Sequence, residues 1–398
     1  MSETIVRLAA RGDGVTESGR FFPLTAPGDR VEEDGTVTPG PHRRVPPCRH
    51  FPECGGCQVQ QIDDEAFGAY LEGRIAAALA AQGVEAGRIL PAHISPPNSR
   101  RRASLHSERR GKQVLLGFNA EASHRIVDMR ECHILRPELF ALVAPLRALL
   151  GTILPPRGSG AVRMTLADQG VDLLLEKVEV DGLAASEALG AFAQSHRLAR
   201  LAIDDGYGPQ TRWEPEPVTV TLGGVPVPLP HGAFLQATSE GEAALVAAVR
   251  EAVGPARIVA DLFSGIGTFA LAIEGRILAV EGARDSAAVL KAAANRAQRQ
   301  LFVDHRDLFR RPLTPEELNR FEAVVLDPPR AGAKDQVPLL ARSTVPRIAY
   351  VSCNPATFAR DAKALADGGY RLEWVKPVGQ FRWSTHVELV GCFTRVPG

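Results

Sequence analysis

Apolar residues recur at two spacings along the chain, and the dominant spacing changes with position. In residues 1–47, short alternating pieces such as Thr4-Ile5-Val6-Arg7-Leu8 lie between turn formers (Gly12, Gly14, Pro27, Gly28, Pro39, Gly40, Pro41), which predicts a short β module. Helical spacing runs from Asp64 to Ala81. Leu105 to Phe118 reads as a hairpin turning around Glu108-Arg109-Arg110-Gly111, and Gly160–Leu175 as more sheet, followed by a helix near Ala184–Ala193. A stretch rich in Pro and Gly, Glu214 to Pro230, is expected to separate this middle region from the C-terminal one. From Ile258 onward, apolar strands alternate with helices: Ile258–Leu262, Leu278–Glu281, Ala323–Leu326 and Arg347–Val351, with the clearest helix over Ala283–Gln298. That rhythm marks a parallel sheet with crossover helices. Leu372–Val378 and His386–Thr394 read as paired antiparallel strands closing it. The expected fold class is α/β, with a short β-rich segment over 1–47, a mixed α+β central domain over 48–230 and a doubly wound domain over 231–398.

Composition supports a folded chain. Of 398 residues, 45% are hydrophobic and 23% charged, which excludes a largely disordered protein. The start, Met1-Ser2-Glu3-Thr4, lacks a signal pattern, and the best apolar stretch, Leu139 to Leu154, is broken by Pro145 and Arg147. The sequence therefore reads as a cytoplasmic protein with no membrane partner. Its 46 basic and 46 acidic residues cancel, which by itself argues against a nucleic-acid partner. Only six of the basic residues are Lys, however, and the Arg cluster: Arg100-Arg101-Arg102, with Arg109, Arg110 and Lys112 close behind. Arginine suits phosphate geometry, although a solvated edge would look the same.

Cys48, Cys54 and Cys57 form Cys-x5-Cys-x2-Cys on a Pro/Gly-rich turn, and Cys132 stands 75 positions after Cys57. Clustered cysteines in an intracellular chain are metal ligands before they are disulfides. Zinc and a 4Fe-4S cluster both accept four thiolates, and free thiols are the third possibility. Three close ligands and one distant ligand suit the cluster somewhat better.

The first strand of the C-terminal region runs into Asp261-Leu262-Phe263-Ser264-Gly265-Ile266-Gly267-Thr268-Phe269-Ala270. Its glycines allow a ligand close to the backbone, and Glu281, 20 positions after Asp261, can accept from ribose hydroxyls. Gly265-x-Gly267-x-x-Ala270 also satisfies a loose dinucleotide fingerprint, so an NAD-dependent oxidoreductase is an alternative. Asp261 would repel pyrophosphate yet tolerate a sulfonium cation, which favours S-adenosylmethionine. The third and fourth strands end in Asp327-Pro328-Pro329-Arg330 and Ser352-Cys353-Asn354-Pro355, where open α/β sheets keep their sites. Cys353, flanked by polar residues before a helix, is a candidate thiolate nucleophile, whereas Cys392 on an apolar strand reads as inert. In Ser384-Thr385-His386-Val387-Glu388, either His386 or Glu388 could be a base.

DLFSGIGTF, VLDPPRAG, YVSCNPAT, HVE and the four-cysteine set together resemble the RNA (uracil-5-)-methyltransferase family over almost the whole chain. The likeness is greatest to its iron–sulfur branch, which includes 23S rRNA uracil-5-methyltransferases. The resemblance implies a class I, Rossmann-like methyltransferase domain, a truncated TRAM/OB-like N-terminal module and S-adenosylmethionine as methyl donor. It further implies a 4Fe-4S cluster on Cys48, Cys54, Cys57 and Cys132. By the same likeness Cys353 is the nucleophile, Glu388 the base and Asp327 a hydrogen-bonding acid. Gln236, Phe263, Gly265, Thr268, Glu281, Asp307 and Asp327 then surround the cofactor. Arg100, Arg101, Arg102 and Phe234 meet an RNA whose uridine is flipped out. The implied partner is RNA, with 23S rRNA ahead of tRNA, and no obligate protein partner is implied. A cluster-bearing RNA-binding or redox protein with a vestigial methyltransferase domain is a further alternative. Two features depart from the family pattern: the N-terminal module is short, and GQFRWSTHVE stands where an acid-x-Phe-Pro is usual.

Overall fold

The computed structural model describes residues 2–396. Residues 3–38 form a five-stranded antiparallel sheet in the order Phe21–Phe22, Gly14–Thr16, Glu3–Leu8, Arg30–Val31, Val37–Thr38. So small a unit buries few apolar side chains, among them Ile5, Val15, Ala26 and Val31. It is held as well by Asp29, a fully buried carboxylate that accepts from the Ala26 and Gly40 amides and pairs with Arg43 at 2.5 Å.

The second sheet carries the predicted hairpin, Arg102–Arg110 with Gln113–Gly117, beside Ser159–Ala167, Gly170–Glu176, Arg200–Asp204 and Gln210–Trp213. The helices Val143–Ile153 and Leu183–Ser195 contribute Leu146, Leu150, Leu189 and Phe192 to its core.

The third sheet has eight strands. Five are parallel, in the order Leu301–His305, Arg276–Glu281, Ile258–Leu262, Ala323–Leu326, Arg347–Ser352. Strand order reverses between the third and fourth of these, and such a switch opens a crevice at the carboxyl ends. Glu388–Arg395 then pairs antiparallel with Arg347–Ser352, and Tyr370–Gly379 antiparallel with Glu388–Arg395.

Two expectations about organisation need correction. The unit expected over 48–230 does not pack as one body. The Asp64–Ala81 helix, capped by Asp63 on the Ala66 amide, turns Phe67, Leu71 and Ile75 toward the third sheet rather than the second. His93–Ile94 goes further and adds a parallel strand to that sheet against Val378–Gly379. The Glu214–Pro230 stretch is not a separator either. It folds into a hairpin, Thr219–Leu222 with Val225–Pro228, turning at Gly223 and Gly224 with φ of +54° and +79°. Val220, Leu222, Val225 and Val227 are buried with Leu245 and Leu290 of the third-sheet helices. Their apolar alternation was the signal, and the prolines obscured it.

Candidate active site

The glycine loop after Ile258–Leu262 is shaped by two different constraints. Gly267 has φ +101°, and a Cβ there would lie 2.4 Å from Leu290 Cδ1, so this glycine lets the Arg284–Arg296 helix close on the sheet. Gly265 has φ +55° with open space where a Cβ would be, leaving its backbone bare to the crevice. Phe263 also has positive φ, +64°, unusual for an aromatic residue, and its ring lies 5.4 Å from that of Phe309. Glu281 braces the loop: its carboxylate accepts from the Gly265 amide at 2.8 Å and the Ala283 amide at 2.6 Å.

Below the loop sits Asp261, fully buried, with neither carboxyl oxygen completing a well-formed hydrogen bond. Burial pushes its carboxyl up to about 8, against a pull from the Ala270 amide. An orphaned buried acid beside a bare glycine loop fits a ligand that brings positive charge, such as a sulfonium cation with its amino group. It does not fit pyrophosphate.

At the other end of the crevice the parallel strands deliver Asp327 and Cys353. Arg347–Ser352 ends one residue before Cys353, and Asn354 caps the Pro355–Asp367 helix by accepting from the Ala356 amide. The Asp327–Arg330 turn is tied to this corner because Asn354 Nδ2 and Thr357 Oγ1 both donate to the Arg330 carbonyl at 3.3 Å. Behind it, buried Asp361 accepts from Tyr350 Oη at 2.6 Å and from the Ala333 amide at 2.9 Å. Glu388 opens the neighbouring antiparallel strand and is buried. Burial pushes its carboxyl up to about 7, opposed by Gln380 and the Arg102 guanidinium. Asp327 is raised well above the usual carboxylate range by burial and by Glu388 and Asp261. Burial and the same two carboxyls, Glu388 and Asp327, push the Cys353 thiol up to about 11.

One cavity of about 1240 Å³ joins these groups. Phe263, Gly265, Thr268, Glu281 and Asp307 line one end, Asp327, Cys353 and Glu388 the other, and Gln236, Phe234, Arg100 and Arg102 its side. Arg102 lies over the exposed Phe234 ring at 4.4 Å and its Nε has no hydrogen-bond partner. Arg101 is the exception among the expected residues. Its side chain turns away from the cavity to donate to the Gln236 carbonyl and to pair with Glu242 at 2.5 Å, so it holds the wall rather than facing a ligand. Sequence reading passed over Phe309, which belongs to no motif, and Gln380, which is buried behind Gln236.

The four cysteines converge elsewhere. Cys48, Cys54, Cys57 and Cys132 line a cavity of about 30 Å³ with Phe51, Met129 and Arg100. Burial raises all four thiols, Cys57 to about 12. Among the described residues, no group of three or more His, Cys, Asp or Glu is arranged to hold a metal ion. Cys392 is buried on its strand opposite Ala349. No helix among the described residues is long and apolar enough to cross a membrane.

Sheet order, bare glycine loop and buried acids define a class I S-adenosylmethionine-dependent methyltransferase. The structure of the Pyrococcus abyssi tRNA (uracil-54, C5)-methyltransferase with S-adenosyl-L-homocysteine shares this fold, with a TM-score of 0.75 at 20% identity over 99% of both chains. A family model described as tRNA (uracil-5-)-methyltransferase matches residues 230–395. An RNA methyltransferase of Zymomonas mobilis is 54% identical over 394 residues, 98% of this chain and 99% of its own. RlmD of Chromohalobacter salexigens, a 23S rRNA (uracil(1939)-C(5))-methyltransferase, is 30% identical over 98% of this chain and 89% of its own. The chain belongs to the RNA (uracil-5-)-methyltransferase family. It is an S-adenosylmethionine-dependent enzyme acting on uracil C5 in RNA.

Proposed function

We propose that the enzyme methylates C5 of one uridine in structured RNA, with 23S rRNA as the substrate, through a covalent bond between Cys353 and C6 of the base. The observation that carries this reading is the meeting of Cys353, Asp327 and Glu388 at one end of a cavity whose other end is the glycine loop. Uracil C5 is a poor nucleophile, so a methyl donor alone is not enough. The Cys353 thiolate adds its electron pair to C6, and the C5–C6 π electrons move onto the carbonyl at C4 as an enolate. Bound S-adenosylmethionine supplies an electrophilic methyl group and leaves as S-adenosylhomocysteine. C5, made electron-rich by the adduct, takes that methyl. The Glu388 carboxylate then removes the C5 proton, the double bond reforms, and Cys353 departs as thiolate. Asp327, whose carboxyl burial pushes toward the protonated form, is placed to hydrogen-bond the uracil edge.

Asp261, Glu281, Phe263, Gly265, Thr268, Asp307 and Gln236 would hold the cofactor, while Arg100, Arg102 and Phe234 would receive the RNA. The preference for ribosomal RNA rests on the relative named for it, which is more alike in sequence than the tRNA enzyme. Cys48, Cys54, Cys57 and Cys132 are the proposed ligands of a 4Fe-4S cluster, supported by their lining one small cavity together. With all four positions filled by protein thiolates the cluster would be structural rather than catalytic. Anaerobically purified protein should then contain iron and sulfide in stoichiometric amounts; a colourless zinc protein would overturn the cluster.

Tritium release from RNA labelled at C5 of uridine tests the reaction and its target together. Cofactor-dependent release from an unmodified 23S rRNA transcript is expected. Release from tRNA transcripts alone would keep the chemistry and overturn the substrate.

A further inference from the structure

Gln380 follows Gly379, which stands where the family pattern usually has an acid, and it is the buried amide that links the two ends of the reaction site. Three contacts define it. Its Oε1 accepts from the Ala237 backbone amide at 2.8 Å, its Nε2 donates to Gln236 Oε1 at 2.8 Å, and its amide lies near enough to the Glu388 carboxyl to favour the ionised form. A backbone N–H can only donate, so the oxygen of Gln380 must face Ala237 and the nitrogen must face the other two groups. That orientation propagates. Because Gln236 Oε1 is already an acceptor, Gln236 must present its Nε2, a donor, to the cavity it lines. The close approach is built in: a Cβ on Gly241, in the first turn of the Ser239–Val253 helix, would lie 2.6 Å from Gln380 Cβ.

We propose that Gln380 is a positioning residue for methyl transfer: its amide, oriented by the Ala237 backbone, fixes Gln236 as a donor toward the cofactor and supplies a hydrogen bond to the base Glu388. The inference rests on the proposed roles of Gln236 in cofactor binding and Glu388 as base. Glu388 is otherwise faced by Arg102 from the second sheet, Asp327 from Ala323–Leu326 and Cys353 beyond Arg347–Ser352. Gln380 is the neighbour among these whose donor does not titrate. An acid at this position could accept from Ala237 and yet, when ionised, could donate to neither partner.

The test compares wild type with Gln380→Glu, which keeps the size and the Ala237 contact, and Gln380→Met, which has no donor. Two readouts are taken on folded protein: S-adenosyl-L-homocysteine affinity by calorimetry, and the pH dependence of tritium release from C5-labelled RNA. Both variants should bind S-adenosyl-L-homocysteine at least roughly fivefold more weakly. Both should move the rising limb of the pH profile upward by about one unit, because loss of a donor to the carboxylate favours its protonated form. A merely structural role would lower the thermal midpoint without moving the limb. Unchanged affinity and an unmoved limb in a folded variant would overturn the proposal. Glu388→Gln is the control for the underlying reading: if it still releases tritium, the base assignment fails, and the affinity readout alone then decides for or against Gln380.

Discussion

Cys353 and Glu388 meet because two strands of opposite direction end together. Ser352, the last residue of Arg347–Ser352, is paired with Leu389, so Cys353 and Glu388 are the next positions in the same register. The proposed nucleophile, which leaves a parallel strand, and the proposed base, which begins an antiparallel one, are thereby held side by side, with Asp327 from the next strand facing them. On that reading the antiparallel Tyr370–Arg395 extension of the sheet serves the chemistry as well as the fold.

Removing either partner should have a different consequence. Cys353→Ala should lower methyl transfer by at least roughly 10⁴-fold while leaving S-adenosylhomocysteine affinity unchanged. Glu388→Gln should still add to the base and accept the methyl group, then stall, so a covalent protein–RNA complex should accumulate on a denaturing gel. Normal turnover by Cys353→Ala would sink the assignment.

The high thiol of Cys353 makes a prediction about charge. Burial, with Glu388 and Asp327 adding to it, pushes the thiol up to about 11, and a cation bound nearby should pull it down. S-adenosylmethionine, a sulfonium, should therefore speed alkylation of Cys353 by iodoacetamide by about tenfold at pH 8, a shift of about one pKa unit. Neutral S-adenosylhomocysteine should not. Equal rates with both ligands would remove the electrostatic account.

Asp261 is a cost to the protein without ligand. Its carboxyl sits at about 8 in the folded chain against an ordinary 3.8, so between these values the unfolded chain releases a proton that the folded chain keeps. Stability should consequently fall as pH rises from about 4 to about 8. Asp261→Asn should flatten that slope, stabilise the protein at pH 8 by a few kcal/mol, and weaken S-adenosylmethionine binding at least roughly tenfold. Denaturant melts across pH, with calorimetry of the cofactor, check both halves.

Neighbouring arginines should separate cleanly. Arg101 pairs with Glu242 largely shielded from solvent, so Arg101→Ala should cost about 1–3 kcal/mol of stability by leaving a mostly buried acid unpaired. Arg102 lies over Phe234 inside the cavity, so Arg102→Ala should weaken RNA binding several-fold with a smaller effect on melting. Filter binding and thermal melts would contradict this if the two variants behaved alike.

The C-terminal sheet was legible because it is built from apolar runs bounded by turns: Ile258–Leu262 and Ala323–Leu326 fall where the pattern put them. The place of the site was legible for the same reason, since Asp327 and Cys353 sit at strand ends that motifs mark and line one cavity. Packing between distant segments was not. Nothing local says that Phe67 and Leu71 cover the third sheet, or that His93–Ile94 joins it. Arg101 reads like its neighbours in a basic run, yet strand alternation turns it to the opposite side from Arg102. Gln380 escaped notice because its role depends on an amide orientation set by a backbone group 143 residues away.

The central claim is the Cys353–C6 bond, and RNA carrying 5-fluorouridine at the target position tests it most directly. Fluorine at C5 leaves Glu388 no proton to remove, so the methylated adduct should persist. Digestion and mass spectrometry should then find one peptide, containing Cys353, bearing a methylated fluorouridine, and only when S-adenosylmethionine was present. An adduct on another residue, or methylated RNA with no adduct at all, would contradict the mechanism.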